Sequence, residues 1–470
     1  MTLIVLELND TGILAAAAES AGLISLDGQA LESPGFALPQ KKDMLVGRAA
    51  ESKAHLFPRQ ILNRFWDQIN TEPLERATRH APQNNAEIAF RHLSVIWPQL
   101  QNFGDEIVVL TPGFYEKSQL GLILGIAQEL GIPVKGFLPA ALAAASRPVP
   151  DKLLLHLDIH LHRLEVVYLE QGEKLTLRDT ATTSEKGLLY LHRQWVDAIA
   201  REFVRTTRFD PFHQAASEQE LYDRLPAIIS HMQHNPSMLL ELNGKAAPYS
   251  ITLERDLMVH GGESVYREIL RLIDRMQDKR AGGHKSTVLQ VSHRLARLPG
   301  CMEMLRSIKD IQIIELDQEA GVFGALEIWR RLEAQHKQPG VSFFTSRPWQ
   351  PPLQPEDLAP AAGKGTQPRA THLLYRSIAY PITDKQITIG SAPDSGQDGL
   401  TIVIEAAGVS PRHCTVALRS GEIKLRNGSD QGTFVDEKRV NGSITLKLGQ
   451  IIRVGSPGEK LQLIACLKGP

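Results

Sequence analysis

Four polar side chains alternate with apolar ones in the run KLLLHLDIHLHRLEVVYL (152–169), where His156, Asp158, His160 and His162 share one face. Strict alternation over this length predicts a β-strand, and LEVVYL (164–169) is either its hairpin partner or its extension. Imidazole and carboxylate groups are ligand types for Zn²⁺. However, residues i and i+2 on a strand lie roughly 7 Å apart, too far for all four to converge on one ion. We therefore predict no metal site and interpret the four side chains as the lining of a polar cleft.

A second polar stretch follows the first predicted strand, Leu3–Leu8. The turn NDTG (9–12) joins this strand to a second one, Ile13–Ala17, which predicts a hairpin. Such a turn can present backbone N–H groups to an anion. The N-terminal hairpin is therefore a second candidate for chemistry.

Arginines recur at helical spacing on two predicted helices. They are Arg201, Arg205 and Arg208 on the first helix and Arg267, Arg271 and Arg275 on the second. Charges repeated along one helix face are typical of a solvated surface. We therefore do not interpret either group as an anion site.

The composition excludes several classes of protein. The 470 residues include 52 Lys and Arg against 53 Asp and Glu, so no excess of positive charge favours nucleic acid. Three widely spaced cysteines fit a reducing compartment better than a disulfide framework. No run approaches the roughly 18 apolar residues of a membrane span, and the N-terminus lacks the basic region of a signal peptide. We expect a soluble, cytoplasmic protein.

The predicted elements divide the chain into three parts. Strands and helices alternate over residues 1–335, which is typical of an α/β architecture of two related halves. Residues 336–370 are proline-rich and without periodicity, and predict an extended linker. Over residues 371–470, short strands separated by Gly, Asp, Ser and Asn predict an all-β sandwich.

The first 335 residues resemble the actin-like ATPase fold, and within it the nucleotide-binding domain of DnaK-type heat-shock chaperones. Five segments match in order along the chain. They are SPGFALPQKKDMLVGRAA (33–50), VVLTPGFYEKSQLGLILGIAQELGIPVKGFLPAALAAA (108–145), LLLHLDIHLHRLEVVYL (153–169), VLQVSHRLARLPGCMEML (288–305) and EAGVFGALEI (319–328). The resemblance implies an α/β fold of two related halves around an ATP site.

This chain departs from the nucleotide motifs of that family. The family's Asp-x-Gly-Thr-Thr is ELNDT (7–11) here, its Asp-x-Gly-x-Gly-Thr is DIHLHR (158–163), and its adenosine-site glycine pair falls at VSH (291–293). Glycines in such loops let the backbone approach phosphates, and imidazoles would fill that space. The candidate nucleotide-binding residues implied by the resemblance are Glu7, Asp10, Thr11, Asp158, His160, His162 and Ser292. Glu7 and Asp158 could hold Mg²⁺ through water, so ATP with Mg²⁺ stays open as a cofactor, but we expect no efficient ATP hydrolysis.

Residues 371–467 resemble a forkhead-associated (FHA) domain, the β-sandwich that reads phosphothreonine. The matching segments are ITIG (387–390), VSPRH (409–413), LRNGSDQGTFVDEKRVNG (425–442) and LKLGQIIRVG (446–455). The family's phosphate-binding Gly-Arg is Gly390-Ser391 here, whereas Ser410 and His413 keep its Ser-x-x-His pattern. Its Ser-Thr-Asn-Gly turn is SDQG (429–432), which places a carboxylate near the phosphate.

The candidate phosphopeptide-binding residues implied by this resemblance are Ser391, Ser410, Arg412 and Gln431. Arg412 is a candidate to replace the missing arginine as a bidentate phosphate partner. The altered turn leaves two interpretations open. The module either reads phosphothreonine or binds protein independently of phosphate.

The two resemblances together predict a non-catalytic adaptor or scaffold that mediates protein–protein interaction in a bacterial-type assembly. Two alternatives stay open. One is an ATP-dependent switch or chaperone-like protein whose nucleotide state regulates the FHA module. The other is a phosphothreonine-reading signalling protein. We expect protein partners, phosphothreonine-containing in the last case, and neither nucleic acid nor a membrane.

Overall fold

The computed structural model divides into two compact units, Met1–Leu358 and Ala359–Pro470. In the first unit it describes residues 2–20, 22–41, 43–74, 82–244, 247–278, 286–335 and 340–349. In the second it describes residues 370–375, 378–383, 385–392, 400–404, 408–419, 422–436, 438–455 and 458–464.

The first unit is built of alternating strands and helices. In chain order they are β1 (Leu3–Glu7), β2 (Leu14–Ala17), β3 (Ala37–Pro39), β4 (Met44–Val46), α1 (Arg48–Glu51), α2 (Asn85–Leu100), β5 (Glu106–Thr111), α3 (Lys117–Glu129), β6 (Val134–Pro139), α4 (Ala140–Ala144), β7 (Leu153–Ile159), β8 (Leu164–Gln171), β9 (Lys174–Thr182), α5 (Leu188–Thr207), a 3₁₀ turn (Pro211–His213), α6 (Ala215–Met232), β10 (Ser237–Asn243), β11 (Pro248–Glu254), α7 (Arg255–Asp278), β12 (Thr287–Val291), α8 (His293–Ala296), α9 (Cys301–Arg306), β13 (Ile311–Glu315), α10 (Ala320–Gln335), β14 (Ser342–Phe343) and β15 (Ser346–Pro348).

Two mixed sheets form the framework of this unit. The first sheet has the order β14-β6-β5-β1-β2 and the second β13-β12-β7-β8-β9-β15. In each, an antiparallel hairpin (β1–β2 or β7–β8) continues on its other side into two parallel strands. The two sheets therefore share strand order and direction over four strands.

The layer between the two sheets changes from apolar to polar along β7. Val5 of the first sheet lies in one buried cluster with Leu154 and Val288 of the second. His156 and Asp158 follow Leu154 on the same strand face, because side chains alternate along a strand. Both are buried. These two residues of the predicted polar face are therefore interior. The other two, His160 and His162, are not on this strand face, because β7 ends at Ile159 and both lie in the loop that follows.

Helix α7 shows how the helices cover the second sheet. Its buried positions include Val265, Ile269, Leu272 and Ile273, which lie three or four residues apart and so share one side of the helix. These side chains pack in one cluster with Leu157 of β7. The opposite side of α7 is left polar.

Residues 340–349 differ from the expected linker. β14 pairs in parallel with β6, and β15 pairs antiparallel with β9. The side chain of Arg347 is buried, and its Nε donates to the Leu142 carbonyl at 2.8 Å. This segment forms edge strands whose partners lie far away in the sequence, so no local periodicity reveals it. Of the rest of the predicted linker, residues 336–339 and 350–369 lie outside the described residues, and Ala370 packs in the core of the second unit.

The described residues of the second unit form only β-strands. In chain order they are β16 (His372–Tyr375), β17 (Ile378–Pro381), β18 (Ile387–Gly390), β19 (Leu400–Val403), β20 (Cys414–Arg419), β21 (Glu422–Asn427), β22 (Thr433–Val435), β23 (Lys438–Arg439), β24 (Ser443–Leu446), β25 (Ile451–Val454) and β26 (Glu459–Ile464).

These strands form two sheets around one apolar core. One sheet has the order β17-β16-β26-β25-β22-β23 and the other β19-β18-β20-β21-β24. Buried side chains from both, such as Leu373, Ile389, Leu425 and Ile452, form one cluster. The predicted all-β fold of this part of the chain is confirmed.

None of the helices described in the structure is long and apolar enough to span a membrane.

Candidate functional site

Arg294 lies between the two acidic residues that the sequence suggested for metal binding. Glu7 ends β1 in the first sheet, Asp158 lies in β7 of the second, and Arg294 lies in α8, just after β12. Arg294 Nη1 is 2.9 Å from Glu7 Oε1 and 3.6 Å from Asp158 Oδ2, and its Nη2 donates to the Gly12 carbonyl at 3.2 Å. All three charged side chains are buried. One guanidinium therefore links the two sheets at the polar end of the layer between them.

The guanidinium changes the charge of this site. Burial by itself would raise the pKa of Asp158, but Arg294, His160 and His156 hold that pKa at about 2. Burial raises the pKa of Glu7 even though Arg294 opposes the shift. The carboxylates around Arg294 raise the pKa of its guanidinium despite burial, so the cation is permanent.

The two carboxylates also have other partners within the unit. Asp158 Oδ2 accepts from Asn9 Nδ2 at 3.0 Å, and Asp158 Oδ1 accepts from the Ile159 N–H at 2.8 Å. Gly321 of α10 packs so closely that a Cβ there would lie 2.5 Å from Glu7 Oε2. A Mg²⁺ ion needs carboxylates that are free to accept it or its water. The residues present do not fit Mg²⁺ with ATP.

The loop between β7 and β8 is held by the N-terminal hairpin. Asp10 Oδ1 accepts from the Leu161 N–H at 2.8 Å and lies 3.7 Å from His160 Nδ1. His160 Nε2 lies 3.6 Å from Glu165 Oε2, and the Phe114 ring packs edge-on against the imidazole at a centroid distance of 5.1 Å. Burial by itself would lower the pKa of His160, but the surrounding carboxylates, chiefly Glu165, raise it. The imidazole thus fills the interior of the loop and lies between the carboxylates of Asp10 and Glu165.

The remaining candidate nucleotide residues are divided between this cluster and its surroundings. The Ser292 hydroxyl is buried beside Asp158 and contributes to lowering its pKa. Thr11 instead donates from both its N–H and its hydroxyl to Asn9 Oδ1, at 3.0 and 2.8 Å. His162 points away, and its Nε2 lies 3.0 Å from the Asn63 carbonyl.

No three His, Cys, Asp or Glu side chains among the described residues form a group that could hold a metal ion.

The second candidate site lies where the loops of the β-sandwich meet. Ser410 Oγ and Ser429 Oγ are 2.5 Å apart, and the Gln431 N–H donates to Ser429 Oγ at 3.1 Å. Asn427 Nδ2 donates to the Ser429 carbonyl at 3.1 Å. Ser410, Ser429 and Gln431 are therefore brought together in one hydrogen-bonded group.

His413 supports this group from inside the sandwich. Its Nδ1 accepts from the Ser410 N–H at 3.1 Å, which leaves Nε2 to donate to the Gly432 carbonyl at 3.0 Å. Burial lowers the pKa of His413. A neutral imidazole with this tautomer fixes the position of the Ser410 backbone relative to the loop that ends at Gly432.

The other loop residues surround the serine pair. The Ser391 N–H donates to the Ser410 carbonyl at 3.1 Å, and a Cβ at Gly390 would lie 2.0 Å from the Pro411 carbonyl oxygen, so only glycine fits there. Arg412 is exposed at the same end. The predicted phosphopeptide residues thus lie together, with Arg412 at the solvent side.

Sequence reasoning missed three residues of these sites. Nothing in the segment around Arg294 distinguishes this residue, because its partner Glu7 lies 287 positions away. Asn427 carries no signal beyond its place in the FHA-like turn. Arg439 donates from Nη2 to the Asp430 carbonyl at 3.0 Å and so holds the turn that carries the unexpected carboxylate.

Comparison with known families agrees with this geometry at the C-terminal end. The second unit is a β-sandwich in which His413 fixes the Ser410 loop to the turn that ends at Gly432. Residues 387–455 match the family model of the FHA domain. The chain therefore contains an FHA domain, which supports a role in protein–protein interaction or phosphopeptide binding. A search of curated proteins found no match to the chain.

Proposed function

We propose that this protein is a non-catalytic adaptor. Its FHA domain binds a protein partner, and its first unit is an actin-like domain that has lost the nucleotide site. We place this domain at residues 1–335, extended by β14 and β15, and the FHA-like domain at residues 371–470. The shared strand order of the two sheets supports the proposal of two related actin-like halves.

The observation that carries the proposal is the Arg294 guanidinium. It is 2.9 Å from Glu7 and 3.6 Å from Asp158, the two carboxylates that the resemblance offers to Mg²⁺. A buried cation with two carboxylate partners already balances the charge that Mg²⁺ would balance. His160 and Asp10 occupy the neighbouring loops in place of glycine and a hydroxyl residue. Each departure opposes the approach of a nucleotide phosphate.

Calorimetric titration of Mg²⁺–ATP into the full-length protein tests this proposal. We expect no heat of binding and no shift in melting temperature at millimolar ATP. Micromolar binding would contradict the proposal and support an ATP-dependent switch. An authentic DnaK-type chaperone, titrated under the same conditions, confirms that the assay detects such binding.

A second function, phosphothreonine reading, is favoured by the Ser410 loop. His413 fixes the Ser410 backbone, and Arg412 is exposed next to it. A phosphate needs a hydroxyl and a cationic partner of this kind. Against this reading, Ser391 supplies no charge at the position of the family's arginine.

Pull-downs with phosphothreonine peptides and their unphosphorylated counterparts separate the two readings. Ser410→Ala and Arg412→Ala abolish phosphate-dependent capture if the domain reads phosphothreonine. Arg419→Ala is the matched control, because Arg419 is exposed at the opposite end of β20. Equal capture of both peptide forms by the native protein would contradict phosphothreonine reading and support an adaptor that binds its partner independently of phosphate.

A further inference from the structure

Helices α5 and α7 border a groove that belongs to neither site described above. Its volume is about 470 Å³. Ala198, Leu257 and Gly261 give it apolar lining, and Arg201, Arg205 and Arg267 bring guanidinium groups to it. The sequence suggested two separate solvated arginine faces, whereas the structure brings arginines from both helices to one groove.

The two helices are firmly packed beside this groove. Trp195 of α5 is buried and donates from Nε1 to the Met258 carbonyl of α7 at 2.6 Å. A Cβ at Gly261 would lie 2.8 Å from Trp195 Cδ1, so the helices approach as closely as glycine allows. The groove therefore exists before any partner binds, which lowers the entropic cost of binding.

The charges of the groove are only partly balanced. Arg205 pairs with Glu202, and its Nε lies 3.0 Å from Glu202 Oε2. Arg201 and Arg267, in contrast, form no ion pair within 4.0 Å among the residues that the structure describes, and Arg267 Nε donates only to the Glu263 carbonyl, at 3.4 Å. The groove thus presents two guanidinium groups that are not paired with a carboxylate, one from each helix.

Two carboxylates line the groove, Glu202 and Glu263, and they oppose this positive charge only weakly. Glu202 is already neutralised by Arg205. Glu263 is largely exposed and lies 4.0 Å from His260 Nε2. The remaining balance favours a negatively charged ligand, and a guanidinium on each helix suits a carboxylate between them.

We propose that this groove binds a short acidic segment of a protein partner. A carboxylate of the segment lies between Arg201 and Arg267, and an apolar side chain of the segment covers Ala198, Leu257 and Gly261. This surface lies outside the FHA domain and requires neither ATP nor phosphothreonine. It gives the first unit an interaction of its own.

Fluorescence anisotropy with the full-length protein tests the proposal. The probe is a short fluorescein-labelled peptide of Glu-Glu-Leu repeats, and a peptide of Lys-Lys-Leu repeats is the charge-reversed control. We expect only the acidic peptide to bind, and binding to weaken as salt is added. R201E and R267E should each weaken it about tenfold, because each removes one charge-assisted contact.

R271E is the matched control variant. Arg271 lies on α7 four residues beyond Arg267 but does not line the groove, and it pairs with Glu268 at 2.9 Å. Its reversal should leave peptide affinity within about twofold, since rim charges contribute little. An equal loss in R271E would overturn the proposal in favour of general charge attraction. Competition by inorganic phosphate as effective as that by unlabelled peptide would also overturn it, in favour of a simple anion site.

The outcome of this experiment is independent of the adaptor and phosphothreonine proposals. Circular dichroism melts confirm that each variant is folded, and the milder R201Q and R267Q replace any charge-reversal variant that is not. No detectable binding of the acidic peptide to the native protein would contradict the groove proposal alone. The Mg²⁺–ATP titration and the phosphopeptide pull-downs would be unaffected.

Discussion

Glu7, Asp158 and Arg294 form a buried charge cluster in which the carboxylates and the guanidinium stabilise each other. Two carboxylates alone in this interior would repel each other and lose their hydration. The guanidinium offsets both the repulsion and the lost hydration. It also links the two sheets through its contacts with Glu7 and the Gly12 carbonyl. A buried ion pair contributes little net stability compared with an apolar replacement, but removing one member is costly.

Arg294→Gln should therefore destabilise the first unit strongly. It keeps most of the side-chain volume but leaves Glu7 and Asp158 without their cation, at a cost of about 3–5 kcal/mol. Urea denaturation followed by tryptophan fluorescence measures this loss. Arg178→Gln is the control, because Arg178 and its partner Glu170 are both well exposed, and such a surface pair contributes about 0–1 kcal/mol. Similar losses in both variants would contradict the central role of Arg294.

Glu51 gives the first unit a dependence on pH. Burial raises the pKa of its carboxyl from 4.5 to about 7, although Arg48 opposes the shift. The folded protein then binds more protons than the unfolded chain between these two values, so stability falls as the pH rises through this window. Glu51→Gln should remove that slope and raise the free energy of unfolding at pH 8 by on the order of 2 kcal/mol, since the side chain stays partly in contact with solvent.

Denaturation curves of native protein and Glu51→Gln at pH 5, 6, 7 and 8 measure this effect. The control is Glu129→Gln, which changes an exposed glutamate on α3. A native protein whose stability does not fall between pH 5 and pH 7 more than that of Glu51→Gln would refute the prediction.

At the level of elements, local patterns predicted some parts of the fold and not others. The alternation of His156 and Asp158 with leucines correctly indicated a strand. It left open whether residues 164–169 extend this strand or pair with it, and the structure shows that they pair with it. That pattern also indicated a polar cleft. It could not show that Arg294 lies between Glu7 and Asp158, because no local feature of residues 292–294 indicates a contact with Glu7. Contacts across 287 positions depend on the tertiary fold.

The edge strands β14 and β15 show the same limit. They are two and three residues long, and prolines surround them, so their composition is that of a linker. Their position is set by strands β6 and β9, which lie far away in the sequence. Sequence periodicity indicates which face of an element is buried, but elements of two or three residues are too short to show a period.

Arg347→Ala tests whether β15 is part of the first unit. Arg347 donates to the carbonyls of Leu142 and Ala145, and its guanidinium lies 4.5 Å from the Trp349 ring centroid. Its removal leaves two buried carbonyls without donors and should cost about 3 kcal/mol. Thermal and urea unfolding measure the loss, and Arg330→Ala, an exposed site on α10, is the control. A residue in a free linker would instead give no change.

At the level of the whole molecule, the two units have separate cores and separate chemistry. The first unit buries its apolar side chains in clusters that involve both of its sheets, and the FHA-containing unit has one cluster of its own. The proposed adaptor role uses both units: the FHA loops provide one binding surface and the groove between α5 and α7 provides another. Neither surface requires chemistry in the other unit.

Separate cores predict that fragments 1–358 and 359–470 each fold. Each fragment retains every strand of its own sheets, so burial of its apolar cluster is unchanged by the cut. We expect each fragment to unfold in a single cooperative transition and to give a well-dispersed amide NMR spectrum. A cut at residues 335/336 provides the contrast, because it removes β14 and β15 from the first unit and should lower its melting temperature relative to fragment 1–358. A fragment 1–358 no more stable than fragment 1–335 would show that the domain ends where the sequence first suggested.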